Sequence, residues 1–297
     1  DLLPDHDVYM TEWIDARFVP RAAGAFDLDT YIDYIIEFLE NFGGDVHVVA
    51  VCQPTVPVFS AVSVMEARRD RNVPCSMVLM AGPIDTRKSP TAVNKYAMGK
   101  PLSWFRRNVI TQVPWPYPGH MRLVYPGFLQ LSGFMGMNLE RHVTAHHDLF
   151  HKLVQGDGDS ADKHREFYDE FLAVMDLSAE YYLQTIENVF MEHRLPKGEM
   201  RHHGTVVDPS KIKRVPLMTV EGHKDDITGV GQTEAAQDLC TSLPDTMRAH
   251  HLQEGVGHYG VFNGSRFRNE ILPKVRTFMR AHRPRKSWLN RVLQRVA

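Results

Sequence analysis

Three short stretches carry residue types suited to acyl transfer, and they follow one another in the order nucleophile, acid, base. The first is Ala50-Val51-Cys52-Gln53-Pro54, where the β-branched run Val46–Val51 meets a helical pattern that starts near Thr55. A buried strand turning sharply into a helix is the setting of a nucleophile elbow, which presents one reactive side chain at the tip of the turn. The stretch departs from Gly-x-Ser-x-Gly at three places: Ala50 stands for the first glycine, Cys52 for the serine and Pro54 for the last glycine. Alanine is still small, and proline is accepted in a first helical turn because the N–H it lacks would have no intrahelical partner. A helix N-terminus favours an anionic sulfur, so Cys52 is the candidate nucleophile. The competing reading of Cys52 is a small buried hydrophobe, which is the reading adopted for Cys75 and Cys240.

The second stretch, Glu221-Gly222-His223-Lys224-Asp225-Asp226-Ile227, closes a strand with a loop whose carboxylate can orient an imidazole. Asp225 is preferred because such loops commonly read Gly-x-x-Asp-x-(Ile/Val), and Asp226 stands as the alternative. The third, Gly255-Val256-Gly257-His258-Tyr259-Gly260, uses glycines to make a tight loop that presents His258. Other histidines compete for notice. His142, His146, His147 and His151 share a helical stretch, but no H-E-x-x-H occurs and no metal is expected there. The pairs His202-His203 and His250-His251 have no distinguishing pattern as sequence. Three cysteines make neither a disulfide framework nor a zinc motif.

Alternating strand and helix patterns at both ends of the chain position these residues on an α/β scaffold, a mostly parallel sheet flanked by helices. Strands are expected at His6–Trp13, Val46–Val51, Ser76–Met80, Val215–Glu221 and Ala249–Leu252, with Val46–Val51 buried on both faces. Helices are expected from Tyr31 to Phe42, from Thr55 onward and over Thr233–Leu243. Residues 1–85 and 213–297 then form the core, and 86–212, which lack strand patterning, form a largely helical lid. Trp104, Phe105, Trp115, Tyr117, Phe128 and Phe134 lie on an irregular, Pro- and Gly-containing part of that insertion. As a set they are the candidate wall for an apolar substrate or an adsorbing surface; the alternative for each is lid core.

The 297 residues, 43% hydrophobic and 24% charged with a net charge of −2, exclude collagen-like, disordered and disulfide-scaffold classes and bulk nucleic-acid binding. No apolar run reaches the roughly 18 residues of a spanning helix. The opening Asp1–Asp5 has neither a basic nor an apolar region, so the expected location is cytoplasmic. After Glu270 the chain is basic, with Phe278, Trp288, Leu289, Val292 and Leu293 as an apolar side; a solvated last helix with a loose end is the preferred reading, and contact with an anionic surface the alternative.

With Val51-Cys52-Gln53-Pro54, Glu221-Gly222-x-x-Asp225-Asp226-Ile227 and Gly255-x-Gly257-His258-Tyr259-Gly260-x-Phe262 in view, the chain resembles the intracellular poly(3-hydroxybutyrate) depolymerases over nearly its whole length. Further shared stretches are Thr228–Thr233, Tyr182–Thr185 and Leu195–Gly198. The resemblance implies an α/β-hydrolase fold with a helical lid, Cys52 as nucleophile, His258 as base and Asp225 as its partner. It implies ester hydrolysis of a storage polyester at the granule surface through an acyl-cysteine intermediate, releasing 3-hydroxybutyrate or short oligomers, with no cofactor. Coenzyme A in place of water as acyl acceptor would make the same step a thiolysis. Members of the family carry a longer N-terminal region with further strands and an oxyanion loop, so the expectation is a fragment or processed product in which the N–H of Gln53 supplies one oxyanion donor. Rival readings are a polyester synthase, whose box normally keeps glycines around the cysteine, and a non-catalytic granule-coating protein. The sequence does not choose the acyl acceptor, the polyester side-chain length or the oligomeric state.

Overall fold

A computed structural model describes residues 2–137 and 173–283, with the backbone alone at 134–137. The chain divides into two compact units: Asp1–Tyr9 with Leu28–Gly99 and Thr185–Ala297, and Met10–Asp27 with Lys100–Gln184. Residues 86–99 and 185–212, grouped on sequence with the insertion, therefore fall in the first unit, and 10–27, grouped with the core, in the second.

The first unit is built on four parallel strands in the order of the chain: β1 (His47–Val51), β2 (Ser76–Met80), β3 (Leu217–Gly222) and β4 (Arg248–Gln253). Val51 pairs with Met80, Met80 with Val220, and Gly222 with Gln253, so the carboxyl ends of the strands share one edge. In such a sheet, loops leaving that edge converge and build sites. Helix α1 (Leu28–Asn41) buries Leu28, Tyr31, Ile32, Ile35, Ile36 and Leu39 at helical spacing and keeps its acidic side outward. Helix α2 (Thr55–Ala67) packs against α1 and is buried nearly all round, as its uniformly apolar sequence requires. Beneath the sheet, Val78, Met80, Met218 and Val220 pack with Val275, Phe278 and Met279 of the helix Leu272–Ala281. Phe278 is thus a core residue and not part of an apolar outer face, while Arg276 and Arg280 pair with Asp5. The basic tail beyond 283 and the histidines at 142–151 lie outside the described residues.

Two strand expectations are corrected. Among the described residues β1 pairs with β2 alone and Val49 is 39% exposed, so the expected burial of this run on both faces is not met. His6–Trp13 forms no strand, since it has no pairing partner in either unit among the described residues.

The second unit contains a three-stranded antiparallel sheet, Thr111–Gln112, Leu123–Tyr125 and Leu177–Ser178. Ladders of two or three residues are too short to leave an alternating pattern, which is why the insertion reads as strandless. The segment 10–27 belongs to this unit for a polar reason. The buried Arg122 guanidinium donates to the carbonyls of Val19, Pro20 and Gly24 at 2.8–3.0 Å, and Asp176 accepts from Arg17 at 2.7 Å and from the Gly127 N–H at 2.8 Å. Among the described residues, no helix is long and apolar enough to cross a membrane.

Candidate active site

The turn after β1 holds Cys52 at φ 62°, in the left-handed region that a β-carbon makes unfavourable by roughly 1–2 kcal/mol. Several bonds fix this conformation. The Cys52 N–H donates to the Met80 carbonyl at 2.8 Å, and the Cys52 carbonyl accepts from the N–H (3.1 Å) and the hydroxyl (2.7 Å) of Thr55 in the first turn of α2. Thr55 is fully buried and packs so closely on Gly82 that a β-carbon there would lie 1.9 Å from its hydroxyl oxygen. Gly82 is held from the other side by the Thr233 hydroxyl, which accepts from the Gly82 N–H at 2.8 Å and donates to its carbonyl at 3.0 Å.

The loop after β3 is organised by a buried carboxylate. Glu221 accepts the N–H groups of Gly231, Thr233 and Glu234 at 2.7–2.9 Å, which pins the segment that returns Thr233 to Gly82. Within the loop, Asp225 Oδ1 accepts the N–H groups of Ile227 (2.9 Å) and Thr228 (2.8 Å), leaving Oδ2 to accept from His258 Nδ1 at 2.8 Å. The Asp225 and His258 side chains are both buried, whereas Asp226 is exposed.

After β4 the chain turns through Gly255 and Gly257 into the short helix His258–Val261, and the His258 ring lies edge-on to Tyr259 and Phe262. With Nδ1 engaged by Asp225, Nε2 is the ring nitrogen left for Cys52, whose side chain lies near enough to act on the imidazole. Burial disfavours the imidazolium, but the bonds to Asp225 and Cys52 and the charges of both outweigh it and push His258 up to about 10. The geometry therefore favours an imidazolium between sulfur and carboxylate, an arrangement able to deliver a proton while the sulfur attacks a carbonyl.

Burial pushes Cys240 up to about 12, and burial also raises Cys75, whose thiol donates to the Gly44 carbonyl at 3.0 Å. Gln53 follows Cys52 in the turn that leads into α2, half-buried. Of the aromatic set, Trp115 (79% exposed), Phe128 (63%) and Tyr117 are exposed, Trp104 is half-buried beside the Lys100 ammonium, and Phe105 is packed inside the second unit. Phe105 is thus a structural residue of that unit, held among Trp104 and Tyr182, and offers no surface. The Phe134 side chain lies outside the described residues. Sequence reasoning missed Thr55, Gly82 and Thr233 as supports of the elbow; their signal is a contact between distant loops, which leaves no local pattern.

The family model described as PHB de-polymerase C-terminus matches residues 81–283, more than half of the chain, and contains both Asp225 and His258. The chain belongs to this family. Membership in the PHB depolymerases makes it a carboxylic ester hydrolase, and the parallel sheet with its strand–turn–helix elbow is that of an α/β hydrolase. Among solved structures, it is similar to a monoacylglycerol lipase of Paleococcus ferrophilus (15% identity, 87% of this chain and 77% of that one, TM-score 0.49). It is also similar to the α/β hydrolase GrgF of Penicillium sp. sh18 (15%, 87% and 73%, TM-score 0.43) and to a thermophilic esterase of Thermogutta terrifontis (12%, 90% and 75%, TM-score 0.43). Overlaps this loose carry no weight for activity. No curated protein matches the chain.

Proposed function

We propose that the chain is an intracellular poly(3-hydroxybutyrate) depolymerase acting through Cys52, His258 and Asp225. The observation that carries this reading is Cys52, left-handed in the turn from a parallel strand into a helix, beside a His258 whose Nδ1 is held by Asp225, with Asp225 and His258 both inside the PHB depolymerase match. The Cys52 sulfur, its proton taken by His258 during attack or already held there, attacks the ester carbonyl, with the Gln53 N–H as one donor to the oxyanion. Collapse of the tetrahedral intermediate breaks the ester C–O bond, the His258 imidazolium gives its Nε2 proton to the departing alkoxide, and a 3-hydroxyacyl thioester remains on Cys52. His258, now neutral, takes a proton from water as the water attacks the thioester. Loss of the sulfur from the tetrahedral intermediate releases the acid, and the proton on His258 is then shared with Cys52 as at the start. Coenzyme A entering in place of water would yield the acyl-CoA by the same proton path. Asp225 keeps the proton-bearing Nδ1 fixed and stabilises the imidazolium.

The exposed Trp115, Tyr117 and Phe128 of the unit Met10–Asp27 with Lys100–Gln184 engage the polymer surface. Phe18, itself exposed, packs edge-on to Tyr117 and extends that apolar face.

The test incubates the chain, and its Cys52→Ala and Cys52→Ser variants, with amorphous polymer granules and with 3-hydroxybutyryl-CoA. Hydroxybutyrate release by the parent, lost in Cys52→Ala and strongly reduced in Cys52→Ser, is the expected result. Release by Cys52→Ala at the parent rate would remove Cys52 from the mechanism. Polymer growth would indicate a synthase, and adsorption without release a coating protein.

A further inference from the structure

Away from Cys52, a hairpin of Arg201–His202 and Thr205–Val206 brings two imidazoles to the first half of α1. Its turn has His203 at φ 45° and Gly204 at φ 77°, both positive as a tight two-residue hairpin turn demands. Glycine adopts such angles without strain, whereas a histidine does so at a cost, so His203 occupies a position its residue type does not favour. What the position achieves is convergence. His202 Nε2 lies 2.8 Å from Asp33 Oδ1, His203 Nε2 lies 2.8 Å from Asp33 Oδ2, and the two ring centroids are 4.4 Å apart. Asp29, one turn earlier on α1, accepts the His203 N–H at 3.1 Å and places a carboxylate oxygen 3.7 Å from His203 Nδ1.

We propose that His202, His203 and Asp33 bind a divalent transition-metal ion, with Zn²⁺ the best fit, and that the bound ion staples the hairpin to α1. The ligand atoms all lie within 4.8 Å of one another, and side-chain movements of about an ångström would draw them to the roughly 3.4 Å separations around a tetrahedral ion with bonds of about 2.0–2.2 Å. Two imidazole nitrogens and one carboxylate are a donor set for Zn²⁺ and not for Ca²⁺ or Mg²⁺, which take oxygen ligands. With three protein ligands the fourth position goes to water. The second carboxylate fits the scheme as an outer partner, since Asp29 can accept the Nδ1–H of His203 once Nε2 is on the metal. The proton balance is simple: each Nε2–H now donates to Asp33, so a neutral imidazole that takes the ion carries its proton on Nδ1 instead, and an imidazolium gives one proton to solvent.

A second cluster, Glu221, Glu234 and His250, offers two carboxylates and one imidazole and has a different fate. Both Glu221 oxygens are taken by the N–H groups of Gly231, Thr233 and Glu234, so it is a loop organiser and not a ligand.

The test titrates zinc chloride into the full chain by calorimetry and follows melting at the same concentrations. Saturable binding is expected, with Tm rising by about 5 °C at roughly 100-fold excess over Kd. Asp33→Asn and His203→Ala should weaken binding by on the order of 100-fold, and Asp29→Asn by about 10-fold, the lower range for an outer partner. Glu234→Gln should leave it unchanged. Asp33 and His203 are exposed, so the variants should fold, and their metal-free melting curves check this. Equal affinity and stoichiometry in the parent, Asp33→Asn and His203→Ala, or loss of binding in Glu234→Gln alone, would overturn the proposal.

Discussion

His258 Nδ1 stands 2.8 Å from Asp225 Oδ2, and the other oxygen of that carboxylate is already committed to the N–H groups of Ile227 and Thr228. One oxygen therefore anchors the carboxylate and the other faces the imidazole. Asp225→Asn should depress turnover of a soluble ester by on the order of 10⁴-fold, the scale seen when an amide leaves a catalytic histidine in the wrong tautomer. Asp226→Asn should change it little, because that side chain is exposed. Steady-state kinetics on the two variants decide between them, and a larger loss at Asp226 would reverse the assignment.

The raised His258 makes a pH prediction with a definite sign. A histidine held at about 10 in the folded chain, against about 6.5 unfolded, stabilises fully below about 6.5, and its contribution is lost as pH rises toward 10. Tm should fall across that window, and the fall should be shallower in Asp225→Asn. Turnover should decline on the same alkaline limb, which Asp225→Asn should move to lower pH. A limb that stays in place in the variant would separate Asp225 from the titration.

Gly82→Ala should destabilise by about 1–3 kcal/mol, the usual range for overpacking. Its new methyl would collide with the buried Thr55 that braces the Cys52 carbonyl, so turnover should fall together with Tm. Thermal melting and soluble-ester kinetics on the one variant test this, and an unchanged Tm would mean that the elbow is not wedged at this contact.

Trp115→Ser and Phe128→Ser should weaken adsorption to polymer granules while sparing turnover of a small soluble ester, because they remove remote binding and leave the reacting groups in place. Phe105→Ser, by contrast, should lower Tm and both activities in parallel, since it opens the interior of the second unit. Adsorption, ester turnover and Tm are measured for all three. Unchanged adsorption by well-folded Trp115→Ser and Phe128→Ser would exclude those side chains from the docking surface.

Much of the scaffold was legible because its signals are local. The apolar runs at 46–51 and 76–80, the helical spacing of Tyr31, Ile32, Ile35 and Leu39, and the glycines around His258 each restrict a few adjacent residues, and each lies in the element or loop it suggested. Order along the chain likewise put Cys52, Asp225 and His258 after three of the four parallel strands, β1, β3 and β4, and parallel strands send those loops to one edge.

What only the tertiary structure decided depends on contacts between segments far apart in sequence. Asp225 and Asp226 are neighbours of one residue type, and the loop conformation held by Glu221, Ile227 and Thr228 determines which of them meets His258. Trp115 and Phe105 are equally apolar, yet one is exposed and the other enclosed, because burial depends on which groups pack around a side chain and not on its own hydrophobicity. The pair His202-His203 had no pattern to show until the hairpin set it against Asp33, some 170 residues earlier on α1, where two ordinary imidazoles and a surface carboxylate converge.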